Sequence, residues 1–266
     1  MFFENLLDLN GLRTYKSFIW DSPTKRLKKV KNYVSINVDL LIGIDNQKKI
    51  LLENTINFSN GNITNNALLW GSRGNGKSSL IKSVFAKVNE ENKNLKLVQI
   101  NKNDIFDIEK IYQKLTKFYK YSFILFIDDL SFEKIDSDYK IIKSTLDGSI
   151  QNQPTNILLY VTSNRRHLMP RDMIDNERSS AIHTDESVEE KISLSDRFGL
   201  WLGFHNLSQL DYIEIIKTYC SYYKISFDDE IIKNAKQWSM QRGNRSGRTA
   251  WQFIMNIGAK KNLKIR

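Results

Sequence analysis

The sequence predicts an α/β fold with a parallel sheet followed by a small helical unit, and three observations carry that expectation. Between residues 67 and 204, short apolar runs alternate with amphipathic stretches. The runs are hydrophobic almost without interruption, as strands buried on both faces are. After residue 206 the strand signal stops and only helical periodicity follows.

Taken in order, residues 1–40 carry Phe18-Ile19-Trp20 and a basic run from Lys25 to Lys31, with no clear period. The candidate strands are Ala67–Trp70, Leu95–Ile100, Phe123–Ile127, Ile157–Thr162 and Leu200–Phe204. Helices are expected between them at Lys77–Asn89, Asp107–Lys120 and Tyr139–Gln151. Three more, Ser208–Tyr223, Asp228–Arg242 and Ser246–Lys261, form the C-terminal unit. The polar stretch 164–195 is long for a connection inside a compact domain, which is the mark of a functional or disordered loop. These patterns divide the chain into an N-terminal extension (1–37), an α/β domain (38–206) and a helical lid domain (207–266).

With 266 residues, 41% of them hydrophobic and 26% charged, the chain is long and apolar enough for a sizeable core, which excludes wholesale disorder. A single cysteine, Cys220, excludes a disulfide framework and favours a reducing compartment. Acids stand in the first eight residues where a signal peptide needs cations, and no apolar stretch is long enough to span a bilayer. The expectation is a soluble cytoplasmic protein without a membrane partner. A net charge of +10 invites a polyanion as partner. Yet the lysines are spread thinly and the chain is rich in Asn and Ile, so biased base composition is an equal explanation. The arginines are more telling: Arg73, Arg165, Arg166, Arg171, Arg178, Arg197, Arg242, Arg245 and Arg248 lie in or beside the motifs below, where a planar charged fork suits phosphate. His167, His183 and His205 show no ligand spacing with one another or with Cys220, and no zinc site is expected.

Gly71-Ser72-Arg73-Gly74-Asn75-Gly76-Lys77-Ser78 matches G-x-x-x-x-G-K-[ST] in full, after one strand and opening a helix. Its glycines let the backbone wrap an anion so that N–H groups and the helix N-terminus point at phosphates. Lys77 would reach the β and γ phosphates, and the Ser78 hydroxyl would ligate Mg²⁺, with Ser79 beside it in the nucleotide site. The strand Phe123–Ile127 ends in Asp128-Asp129. Asp128 would hold Mg²⁺ and Asp129 would polarise the attacking water, although acids also mark a strand leaving the core through a turn. Asn164, just past the next strand, is placed to fix that water near the γ-phosphate, and is equally a common turn former. Arg197, ahead of the last strand, suits a finger reaching a neighbouring subunit's nucleotide, or else a structural pair with Asp196. At the start of the final helix Arg248, in preference to Arg245, would touch the γ-phosphate and couple it to the lid; a basic helix start facing solvent or DNA is the alternative. The aromatic stretch at Tyr219, Tyr222 and Tyr223 reads as lid core and not as a base-stacking platform.

These elements in this order, over residues 38–260, resemble the AAA+ ATPases. Leu41-Ile42-Gly43-Ile44-Asp45 is similar to that family's adenine-side segment, which brings Gly43 into the nucleotide site. The stretches 65–71, 126–132, 162–168 and 189–201 resemble a bacterial group of stand-alone AAA+ proteins of unassigned cellular role. The resemblance implies a P-loop NTPase three-layer sandwich, five parallel strands in the order 5-1-4-3-2, and a helical lid. It also implies ATP and Mg²⁺ as cofactors, and self-association through Arg197 into rings or open helices. One departure matters: the family's usual Asp-Glu is Asp128-Asp129 here, one methylene shorter at the water-polarising position. The function expected is ATP hydrolysis driving conformational work on an unidentified protein or DNA partner. An ATP-gated DNA-binding module with secondary hydrolysis is the alternative.

Overall fold

The computed structural model describes residues 10–132, 137–147, 154–168, 194–263 and 265. Arg171, Arg178, His183, residues 189–193, most of the 164–195 connection and residues 1–9 lie outside the described residues.

Among the described residues seven strands form one sheet: β1 (Ser17–Asp21), β2 (Arg26–Lys29), β3 (Ala67–Gly71), β4 (Leu95–Ile100), β5 (Ser122–Ile127), β6 (Ile157–Ser163) and β7 (Leu200–Phe204). Their order is β2-β1-β4-β5-β6-β3-β7. The five strands expected from the sequence, counted from β3, pair in parallel in the order 5-1-4-3-2. The structure adds β1, parallel to β4, and β2, antiparallel to β1, to the far edge. β2 reads Arg-Leu-Lys-Lys, so no apolar run announces it; charges of this kind are what blunt an exposed sheet edge.

Burial on both faces sorts the side chains by period two. In β5, Phe123, Leu125 and Ile127 join one core cluster, with Ile108, Ile111 and Leu115 of α3 (Ile108–Leu115) and Tyr139 and Ile142 of α4 (Ser137–Asp147). Ile124 and Phe126 join the other, with Leu51 and Phe58 of α1 (Asp45–Ser59) and Leu80, Ile81, Val84 and Phe85 of α2 (Lys77–Glu91). This is the expected three-layer sandwich. The helix expected at Asp107–Lys120 is shorter, because 102–107 winds as a 3-10 turn and α3 ends at Leu115, capped by Thr116, whose hydroxyl donates back to the Tyr112 carbonyl at 2.5 Å.

Three helices follow the sheet: α5 (Gln209–Tyr222), α6 (Asp229–Gln241) and α7 (Gly247–Lys260). Ser208, Asp228 and Ser246 each cap one through a side-chain oxygen, with Ser208 and Asp211 forming a reciprocal capping box. They share an apolar core around Tyr212, Ile216, Cys220, Phe253 and Ile254. The Cys220 thiol is buried there with its pKa pushed up by burial, which suits a packing residue. Leu40, in a 3-10 turn at Val38–Leu40, packs into this core, while its neighbours Val38 and Leu41 pack under the sheet.

Candidate functional site

At the carboxyl end of β3 the chain turns through Gly71, Gly74 and Gly76, all at positive φ, before α2 begins at Lys77. Only glycine fits Gly71, since a Cβ there would overlap the Phe204 carbonyl oxygen on β7. The Ser72 amide donates to that oxygen at 3.0 Å, and Asn75 Nδ2 donates to the His205 carbonyl at 2.7 Å, so β7 holds the loop's shape. On the other side the loop meets the start of α7, where the Arg248 amide donates to the Gly74 carbonyl at 3.0 Å.

Lys77, 7% exposed, folds its ammonium onto the loop, donating to the Gly71 and Ser72 carbonyls at 2.6 and 2.8 Å. It also donates to Asn164 Oδ1 at 3.2 Å, and Asn164 Nδ2 donates to Asp129 Oδ1. Burial lowers its pKa to about 8, against the attraction of Asp129 and Asp128. Ser78 Oγ donates to Asp128 Oδ1 at 2.5 Å, and Thr162 Oγ1 donates to the same oxygen at 2.5 Å. Asp129 adopts the left-handed region at φ 57°, which Asp tolerates better than most residues, and its amide donates to Thr162 Oγ1 at 2.9 Å. Thr162 therefore ties both acids to β6.

These groups line one cleft of about 770 Å³. Its polar wall holds Arg73, Gly74, Gly76, Lys77, Ser78, Ser79, Asp128, Asp129, Asn164 and Arg248; Arg245 is not in it. Ser72 and Asn75 shape the loop from behind. Leu40 and Leu41 contribute to the lining where Gly43, at φ +78° against Leu207, does not. Arg197 follows a short helical turn ahead of β7 and is not among the lining residues. The apolar wall was not foreseen: Val34 and Ile36 join Tyr219, Tyr222, Tyr223 and Trp251. The aromatic stretch thus divides, with Tyr219 buried at 4% in the lid core and Tyr222 54% exposed beside the cleft. Tyr219 and Tyr223 both pack edgewise or tilted on Trp251, with ring centres 5.6 and 5.8 Å away. Thr162 was the other omission. Among the described residues no cluster of three or more His, Cys, Asp or Glu could hold a metal by itself. The Ser78 and Asp128 oxygens are hard donors that suit Mg²⁺, an ion that takes one or two protein ligands and completes its shell from phosphate and water.

Among solved structures, the chain resembles domain III of the replication initiation protein DnaA of Thermotoga maritima (13% identity, 86% of this chain and 91% of that one, TM-score 0.53). It also resembles the Aeropyrum pernix Orc1 protein in complex with DNA (13% identity, 88% and 67%, TM-score 0.56). The Thermotoga maritima RuvB Holliday junction branch migration motor gives 17% identity over 86% of this chain and 72% of that one, with a TM-score of 0.47. No curated protein sequence matches the chain. The likeness is one of fold alone. Residues 13–261 match the family described as "Protein of unknown function (DUF815)", and the chain belongs to that family.

Proposed function

We propose that the protein binds ATP in this cleft and hydrolyses it, using the energy to move the lid against a macromolecular partner. The observation that carries this reading is the hydrogen-bonded chain Lys77–Asn164–Asp129, set beside the Ser78–Asp128 pair in one cleft. Triphosphate lying along the loop would draw the Lys77 ammonium away from the Gly71 and Ser72 carbonyls onto the β and γ oxygens. The apolar wall formed by Tyr222, Tyr223, Trp251 and Leu41 would take the base. Ser78 and Asp128 would hold Mg²⁺, which supplies neutralisation of phosphate charge when bound. Asp129 accepts a hydrogen bond from the attacking water and the Asn164 amide orients it. Water oxygen bonds to the γ-phosphorus, the bond to the β–γ bridging oxygen breaks, and the water's proton leaves through Asp129, giving ADP and phosphate. Arg248 bears on the γ-phosphate from the lid, and Arg197, outside the cleft of its own chain, would complete the cleft of a neighbouring subunit.

The test is steady-state ATP turnover of the full chain at several protein concentrations. Lys77→Ala should remove nucleotide binding, Asp129→Asn should remove turnover with binding kept, and Arg197→Ala should remove turnover without loss of ATP affinity. Turnover that is insensitive to Arg197→Ala and to protein concentration would refute the subunit-completed site. ATP binding without turnover under every condition would make Asp129 a switch residue and the protein a nucleotide-gated adaptor. A second reading, an ATP-gated DNA-binding module, draws on the +10 charge; salt-sensitive DNA binding that changes with nucleotide would favour it.

A further inference from the structure

Away from the nucleotide cleft, a second groove of about 630 Å³ opens where β1 and β4 begin, at the far end of α2 from the phosphate loop. Fifteen helical residues, about 22 Å, separate the two. Among the described residues, Arg13, Lys16, Lys31, Lys93 and Lys96 line the groove, against one acid, Glu90. Among the described residues no carboxylate forms an ion pair with any of the five cations.

Lys96 is the unusual member. Only 3% of it is exposed, its ammonium donates to the Tyr15 carbonyl at 3.2 Å, and it lies 5.3 Å from the centre of the Tyr121 ring. Burial, then the nearby Lys93 charge, brings its pKa down to about 8. A buried ammonium without a counter-charge is costly, and an anion seated in the groove would relieve that cost. The two tyrosines in the lining are already engaged: Lys16 sits 4.8 Å from the Tyr33 ring centre and Lys29 sits 5.6 Å from that of Tyr15. The Tyr33 hydroxyl also donates to the Lys82 carbonyl at 2.7 Å. Each of these rings already carries an ammonium, and what the groove presents first is positive charge. Val30 is the one aliphatic side chain in the lining, so an acidic peptide would find no apolar anchor.

We propose that this groove binds the phosphodiester backbone of a nucleic-acid strand, independently of sequence, with Lys96 at its base and Arg13, Lys16, Lys31 and Lys93 along its walls. None of these residues lines the nucleotide cleft, so the proposal stands or falls apart from the ATPase reading.

The experiment is fluorescence anisotropy of the full chain, without nucleotide, against labelled mixed-sequence oligonucleotides, single-stranded and duplex, over a salt series. Affinity should fall linearly on a log–log scale. Lys16→Ala/Lys31→Ala/Lys93→Ala should weaken binding about tenfold or more and flatten the slope by about 2 to 3, since each lost phosphate contact removes about 0.7 to 0.9. Lys224→Ala/Lys233→Ala/Lys236→Ala, an equal change of charge on the C-terminal helical region, should leave the slope unchanged. Above about pH 8 binding should take up a proton in the wild type but not in Lys96→Met. Absence of binding at low ionic strength, equal losses in the two triple variants, or proton uptake surviving Lys96→Met would overturn the proposal. Displacement of the oligonucleotide by a lower concentration of poly-glutamate would overturn it in favour of an acidic protein.

Discussion

At the end of β5 the Thr162 hydroxyl donates to Asp128 and accepts from the Asp129 amide, so a single side chain on the adjacent strand fixes two acids of different proposed role. Thr162→Val keeps the shape and removes both bonds. It should cost about 1–3 kcal/mol in urea unfolding and lower single-turnover ATP cleavage about tenfold or more, whereas Thr162→Ser should retain most of both. Lys77 carries a pH dependence. With its pKa lowered to about 8 in the nucleotide-free protein, it has lost its proton above that pH and must regain one to meet a polyphosphate. ATP affinity should therefore fall as pH rises above about 8 and be insensitive to this group below it; calorimetry near pH 9 in two buffers of different ionisation heat would detect the proton uptake. That the phosphate loop, Asp128, Asp129 and Asn164 would meet in one cleft was legible because the proposed chemistry demands given residue types at given places along the chain. Thr162 was not, since a threonine inside an apolar run carries no signal until β5 and β6 are known to lie side by side. Tyr222 and Trp251 face the cleft for a similar reason that spacing cannot show: an aromatic on an amphipathic helix reads as core.

At the scale of elements, Asp107 ties the β1–β2 hairpin to the 3-10 turn that follows β4. Fully buried, its carboxylate accepts from Trp20 Nε1 at 3.1 Å and Ser22 Oγ at 2.7 Å, and pairs with Lys25 at 2.6 Å. Burial pushes its pKa up, but the bonds from Lys25, Ser22 and Trp20 outweigh that and hold it at about 2. A carboxylate depressed in this way stabilises the fold fully above its unfolded value near 3.8, and the contribution disappears as pH falls toward 2. Asp107→Asn should lower stability at neutral pH by about 1–3 kcal/mol and flatten the stability profile across that acid window, as followed by denaturant unfolding at each pH. The hairpin itself escaped the sequence because its outer strand is charged and its inner one offers only three consecutive apolar residues, Phe18-Ile19-Trp20, between Ser17 and Asp21. The lid helices were read nearly to the residue, since Ser208, Asp228 and Ser246 are capping residues and state where each helix starts.

On the scale of the whole molecule, Arg197 is not among the residues that line the cleft of its own chain, and the proposed function has it complete the cleft of a neighbouring copy. ATP should raise the average mass of the protein in solution at a fixed concentration, and Arg197→Ala should weaken that shift; mass photometry with and without ATP reads it directly. The apolar runs located the five central strands, and their order was legible only through the family resemblance. How the lid meets the phosphate loop did not, because that contact runs through backbone atoms that every residue has.

That contact, from the Arg248 amide to the Gly74 carbonyl, has a mechanical corollary. A Cβ on Gly74 would stand 2.9 Å from Ser246 Oγ and 3.1 Å from Arg248 Cβ, so loop and helix touch without slack. The helix α7 is then a rod of about 21 Å gripped at one end. Because α5 and α6 share its apolar core, they must travel with it. A sub-ångström adjustment of the loop around a phosphate would therefore emerge as a larger swing at Lys260, as a small turn at a fulcrum becomes a long stroke at the tip of a lever.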